Sequence, residues 1–229
     1  MPPEANLPAA VLFDMDGTLI DSEGLWLQAE INVMDRLGGS WSPTDQSACL
    51  GGPLERVADY MLERATVTCT VEDIMELILS EMESSFRVSD LAWRPGAREL
   101  LLDARDRGVP TALVSASWNR LIDAVSDKIR DDLDRDAFDV VVAGDDVTNS
   151  KPHPEPYQRA AELLNVHTGD CLALEDSPTG VLSAVTAGCR VVAIPHLAEI
   201  DPAGSFVIDS LEGWTIDTLW AAHVAPAHD

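Results

Sequence analysis

The chain has 229 residues, enough for one large domain or two modest ones with a sizeable buried core. Its 46% hydrophobic and 24% charged content is ordinary for a globular protein, but 40 acids against 15 bases leave a formal charge of −25. That balance excludes a sequence-blind binder of nucleic-acid backbones and predicts a solvated acidic surface. Of the acids 25 are Asp, and the chain contains two lysines, Lys128 and Lys151. The four cysteines, Cys49, Cys69, Cys171 and Cys189, form no CxxC pair, so reduced thiols are expected in place of a zinc knuckle or redox motif. Residues 1–8 lack the basic and apolar segments of a signal peptide, and no apolar run approaches membrane-spanning length. A cytoplasmic monomer without nucleic-acid or membrane partners is the expectation.

In chain order, Ala9–Phe13 is a short apolar run that ends at Asp14 and reads as a buried strand feeding a loop. Residues 22–89 then show no clear strand. They carry helical spacing in Trp26, Glu30, Val33, Met34 and Leu37, and again in Ile74, Leu77, Ile78, Glu81 and Met82. Thr70-Val71-Glu72-Asp73 reads as a capping box opening the second helix. This stretch is expected to be a helical insertion, serving either as a lid or as a structural subdomain. Beyond it, apolar runs at 109–114, 138–143, 171–174 and 190–194 alternate with helical patterns at 96–107, 118–130, 154–164 and 178–187. Such alternation predicts an α/β fold, a doubly wound, Rossmann-like parallel sheet formed by residues 1–21 and 90–229, with 22–89 as a helical cap.

Chemistry gathers at the ends of those strands. In Asp14-Met15-Asp16-Gly17-Thr18-Leu19, two carboxylates follow a buried strand and a glycine lets the backbone approach a ligand. One carboxylate can attack phosphorus while the other handles protons. A second pair, Glu175-Asp176, closes a later strand just before Ser177-Pro178, where either Asp176 or Ser177 can cap the next helix. Side by side in a parallel sheet, the two acidic strand ends would make a hard-oxygen cluster suited to Mg²⁺. Lys151, in a proline-rich loop, can supply positive charge to a nucleophile and a transferring phosphoryl group. Ser115 follows another strand and serves either as a phosphate ligand or as a helix cap, and Asn119, at the following helix start, is a further candidate phosphate ligand. His153, between two prolines, is expected to stiffen or cap its loop, and the run 131–136 is expected to be a solvated face.

These four segments, in this order, resemble the haloacid dehalogenase superfamily of phosphotransferases over nearly the whole chain. The resemblance implies that Asp14 is the nucleophile and Asp16 the general acid/base, with Ser115 and Lys151 binding the phosphoryl group. It also implies Mg²⁺ as cofactor, held by Asp14, the Asp16 backbone carbonyl and Asp176, with Glu175 near or on the metal. The text Ile20-Asp21-Ser22-Glu23, Ser115-Ala116-Ser117 and Ser150-Lys151-Pro152-His153-Pro154 is similar to the β-phosphoglucomutase-like, 2-deoxyglucose-6-phosphate phosphatase-like branch. Trp26 stands where the mutase has a histidine, and Gly51-Gly52-Pro53-Leu54 where it has an arginine for the distal phosphate. Both departures favour hydrolysis of a small phosphomonoester, a sugar or polyol phosphate. A phosphomutase and a non-catalytic phosphometabolite-binding domain are the alternatives.

Overall fold

The computed structural model describes residues 7–49, 53–201 and 203–224. Six strands, β1 (Ala10–Phe13), β2 (Thr111–Val114), β3 (Val140–Val142), β4 (Cys171–Glu175), β5 (Arg190–Ala193) and β6 (Ser205–Val207), form one sheet in the order β3-β2-β1-β4-β5-β6. Every pairing is parallel. The residues of β1, β2 and β4 are buried throughout, which is why these strands read as continuous apolar runs and show no alternation. The chain winds outward from β1 to β3, then returns to place β4 on the other side of β1. Ligand crevices in open α/β sheets form at such a reversal, outside the C-terminal strand ends. Here those ends carry Asp14 and Glu175.

The remaining helices are α1 (Glu23–Arg36), α2 (Pro43–Cys49), α3 (Leu54–Leu62), α4 (Val71–Val88), α5 (Ala97–Asp106), α6 (Asn119–Leu133), α7 (Glu155–Leu163), α8 (Pro178–Ala187) and α9 (Ile216–Val224). Two compact units result. One comprises residues 1–21, 92–119 and 129–229; the other comprises 22–91 and also takes in 120–128. In the first, Leu12, Ala112, Val114 and Ala173 from one sheet face pack with Tyr157, Ala160 and Ala161 of α7 and with Val181 and Ala184 of α8.

Among the described residues of 22–91 there are four helices where the sequence pattern showed two. Helices α2 and α3 have seven and nine residues, too short for a periodic signal to stand out. Helices α1 and α4 bury Ala29, Val33 and Met34, and Ile74, Ile78, Leu79, Met82 and Phe86. The capping box is formed: Thr70 Oγ1 accepts from the Asp73 N–H at 3.1 Å, and the Thr70 N–H donates to Asp73 Oδ2 at 2.9 Å. Arg120, within 120–128, donates to Glu76 and Glu83 of α4. Gly51 and Gly52, which stand where the mutase has its distal-phosphate arginine, lie outside the described residues.

Glu30 of α1 is a buried acid, 5% exposed, and Trp41 Nε1 donates to its Oε2 at 2.8 Å. Burial pushes its carboxyl up from 4.5 to about 7, against the Trp41 hydrogen bond and with help from the Glu23 charge. The folded-state value lies above the unfolded one, so the folded protein holds an extra proton between the two. Stability should therefore fall as pH rises through that window. Glu30→Gln is expected to flatten this dependence, stabilising the protein by about 1–3 kcal/mol more at about pH 8 than at about pH 5. Urea unfolding of both proteins at the two pH values checks it; parallel pH dependences would refute the assignment.

Candidate active site

The register of β1 against β4 pairs Phe13 with Leu174, and the Asp14 N–H donates to the Leu174 carbonyl at 3.1 Å. Asp14 therefore leaves the sheet beside Glu175. The turn after it is closed by the Gly17 N–H on the Ile20 carbonyl (2.8 Å) and the Leu19 N–H on the Met15 carbonyl (3.0 Å). Gly17 has φ +83°, and a Cβ there would overlap the Asp176 carboxylate. A side chain at this position would thus be excluded twice, by backbone conformation and by the approach of the second acidic pair.

Lys151 reaches the same point from the loop before α7. The Glu155 carboxylate folds that loop by accepting from the Thr148 N–H (2.7 Å), the Asn149 N–H (3.0 Å) and Asn149 Nδ2 (2.9 Å). His153 Nδ1 accepts from the Glu155 N–H at 3.2 Å, and the Ser183 hydroxyl donates to the His153 carbonyl at 2.6 Å. With its stem so held, Lys151 Nζ donates to Asp14 Oδ1 (2.7 Å), Glu175 Oε1 (2.6 Å) and the Val114 carbonyl (2.9 Å). Burial alone would lower the Lys151 pKa, but the carboxylates of Asp14 and Glu175 outweigh it and hold the ammonium above its ordinary range.

Three acids, Asp14, Glu175 and Asp176, bring ligand oxygens within 4.8 Å of one another. One ammonium cannot balance them. Burial, with the charges of Asp14 and Glu175, pushes Asp176 up to about 9. Glu175 is also raised, by burial first, with Lys151 opposing. Asp14 Oδ2 is buried and has no hydrogen-bond partner. An orphaned carboxylate oxygen among crowded acids is what a hard divalent cation would satisfy, and the all-oxygen donor set fits Mg²⁺.

Tyr157 is a participant that the sequence pattern did not single out. Fully buried on α7, it donates from its hydroxyl to Glu175 Oε1 at 2.6 Å. Burial, then the charges of Glu175 and Asp14, hold its pKa well above the ordinary phenol value. It therefore stays a donor and helps to fix the Glu175 carboxylate. A tyrosine six residues after a loop lysine reads as a plain core position in sequence, and nothing local distinguishes it.

The remaining predicted residues are engaged in other arrangements. Ser115 is buried at the end of β2, and its Oγ accepts from the Ser117 N–H at 3.0 Å. It does not cap α6, whose N-cap is Trp118. Ser177, and not Asp176, caps α8: its Oγ accepts from the Gly180 N–H at 3.1 Å, with Pro178 in the first turn. Asp16 accepts at Oδ2 from Ser117 Oγ at 2.8 Å. Asn119 donates from Nδ2 to Asp145 Oδ1 (3.2 Å) and Asp146 Oδ1 (2.8 Å), so its amide is engaged by carboxylates of the turn after β3. Trp26 is half-buried in the first turn of α1.

A Rossmann-like sheet whose central strand ends carry acids around a buried lysine defines the class. The chain belongs to the haloacid dehalogenase-like hydrolase family, which it matches over residues 11–194. Within that family it is an enzyme of the phosphatase type. It is 33% identical over 188 residues to hexitol phosphatase B of Escherichia coli (strain K12), covering 81% of this chain and 83% of that protein. It is 32% identical over 188 residues to a phosphorylated carbohydrates phosphatase of Thermotoga maritima, covering 82% and 85%. Its fold superimposes on CbbY from Rhodobacter sphaeroides in complex with xylulose-(1,5)-bisphosphate with a TM-score of 0.81, 27% identity and coverage of 93% and 99%. No helix among the described residues is long and apolar enough to cross a membrane.

Proposed function

We propose that this enzyme is a magnesium-dependent phosphatase of a small sugar or polyol phosphate that works through a phosphorylated Asp14. The observation that carries the reading is the Lys151 ammonium bonded to both Asp14 and Glu175 at the crevice of the sheet. The names of the relatives, one a hexitol phosphatase and one a phosphatase of phosphorylated carbohydrates, support the substrate class.

In this reading an Asp14 oxygen attacks phosphorus and the bond to the leaving oxygen breaks. Asp16 gives its proton to that oxygen, releasing the alcohol. Asp16, now a carboxylate, takes a proton from water as the water attacks the phosphorus of the aspartyl phosphate. The bond from phosphorus to Asp14 breaks, inorganic phosphate departs and the starting state is restored. Lys151 orients Asp14 and offers positive charge to the phosphoryl oxygens, with Ser115 as a further ligand. Asp14, Asp176, the Asp16 backbone carbonyl and Glu175 would hold the metal. When bound, the ion supplies positive charge that offsets the repulsion between these acids and an anionic substrate.

The test is phosphate release from sugar, polyol and nucleotide monophosphates with Mg²⁺ and with EDTA. Chelation is expected to lower the rate by at least about 100-fold, reversibly, since a metal contributes several kcal/mol of charge stabilisation. Saturating Mg²⁺ should also raise the melting temperature of the enzyme without substrate, because binding to the folded state alone stabilises it. Full activity in EDTA would remove the metal from the reading. Interconversion of sugar phosphate isomers with a bisphosphate activator, in place of phosphate release, would favour a mutase.

A further inference from the structure

The hydrogen bond from Ser117 Oγ to Asp16 Oδ2, 2.8 Å long, joins residues 101 apart in sequence, and nothing in the mechanism above uses it. Both of its ends are held. The Ser117 N–H donates to Ser115 Oγ at 3.0 Å, and the Ser117 carbonyl accepts from the Gly144 N–H at 2.9 Å. Gly144, at the turn after β3, lies so close that a Cβ there would overlap the Ala116 carbonyl oxygen. Residues 115–117 are therefore clamped between the ends of β2 and β3. Asp16 sits in the tight turn closed by Gly17 and Ile20, and forms a bridge with Ile20.

The carboxyl torsion of an aspartate is broad and roughly two-fold, so a fixed backbone alone does not aim its oxygens. A donor mounted on a separately clamped loop does. A proton donor in phosphoryl transfer must meet the leaving oxygen at hydrogen-bonding distance, and loss of general acid catalysis costs about 10²–10⁴-fold. We infer that Ser117 is a positioning residue for Asp16, its hydroxyl setting the orientation in which Asp16 hands its proton to the leaving alkoxide. The inference rests on the proposed role of Asp16.

Leaving-group dependence isolates this role. When Asp14 attacks phosphorus and the bond to the leaving oxygen breaks, a sugar or polyol alkoxide needs the Asp16 proton, whereas p-nitrophenolate departs without one. The ratio kcat/KM covers steps up to that departure, so later hydrolysis of the aspartyl phosphate does not enter. Ser117→Ala is expected to lower kcat/KM on a hexitol phosphate by about tenfold, a part of the general-acid contribution, and on p-nitrophenyl phosphate by less than about twofold. Ser117→Thr, which keeps the hydroxyl, should recover to within about threefold of the parent on both.

Equal losses on both substrates would overturn the inference, because they would place Ser117 in phosphoryl binding or in loop integrity. No loss on the hexitol phosphate, or a gain, would overturn it too. Asp16→Asn, measured alongside, separates the two levels. If it shows the leaving-group selectivity and Ser117→Ala does not, the positioning role alone falls. If Asp16→Asn shows none, or if the parent hydrolyses neither compound, the reading of Asp16 falls and this inference with it.

Discussion

Asp14→Asn is expected to reduce phosphate release by about 10⁴-fold or more on every substrate the parent enzyme accepts, since loss of a covalent nucleophile removes the reaction path and not a single contact. The substitution is nearly isosteric. It keeps an oxygen that can accept from Lys151 Nζ, now 2.7 Å from Asp14 Oδ1, and it takes one anion out of a crowded group of three. The fold should survive, with an unchanged circular dichroism spectrum and a melting temperature close to the parent's. Acid quenching of the parent during turnover of a ³²P-labelled substrate should trap label on protein, and the variant should trap none. Retained activity in Asp14→Asn would end the aspartyl-phosphate reading whatever the metal does.

Lys151→Met should cost both stability and activity. Its side chain is 5% exposed and its ammonium pairs with side chains that are 9% and 0% exposed, so its partners have little solvent to fall back on. Breaking a buried pair by removing one partner leaves uncompensated charge, typically costing about 3–5 kcal/mol. The Glu175 carboxyl, which burial already raises and Lys151 holds down, can escape the penalty by keeping a proton, so its folded-state pKa moves further above the unfolded one. A raised carboxyl pKa means stability that falls as pH rises, so the loss should be larger at about pH 8 than at about pH 6. In the proposed mechanism activity should drop by at least about 10³-fold, because the charge assigned to orienting Asp14 and meeting the phosphoryl oxygens is lost. Denaturant unfolding at both pH values and steady-state rates check this. A variant as stable as the parent at alkaline pH would show that the lysine is not the counter-charge of the cluster. Lys151→Arg is no rescue in this view, since a planar fork cannot replace a compact point charge bonded to three acceptors.

Much of this site is legible in sequence because its physics is local. A buried parallel strand is a continuous apolar run, and the residue that ends it must face the crevice; Asp14 and Glu175 announce themselves by interrupting such runs. Pro178 and the Thr70 capping box mark helix starts through backbone donors that only nearby residues can satisfy. Gly17 belongs in part to this class, since its φ of +83° is a property of one residue in one turn.

Other parts had no local signature. Strand β6 is three residues long, half-exposed and at the sheet edge, so neither an apolar run nor an alternation marks Ser205–Val207. Helix α9, at 216–224, lay outside the predicted elements as well. Asn119 reads as a phosphate ligand, but its amide is drawn to Asp145 and Asp146, which arrive from the end of a different strand.

The amino-acid sequence by itself determined the class of sheet, the strand ends that carry acids and the presence of a lysine to balance them, because burial periodicity and chain-end chemistry are written in consecutive residues. Tertiary structure alone decided which of those groups touch. It brought Lys151 onto Asp14 across 137 positions, Tyr157 onto Glu175 and Ser117 onto Asp16. The reason is physical: such contacts depend on the register of neighbouring strands and on the packing of α7 against the sheet. A one-residue shift in either would turn the same side chains to other partners without changing a letter of the sequence.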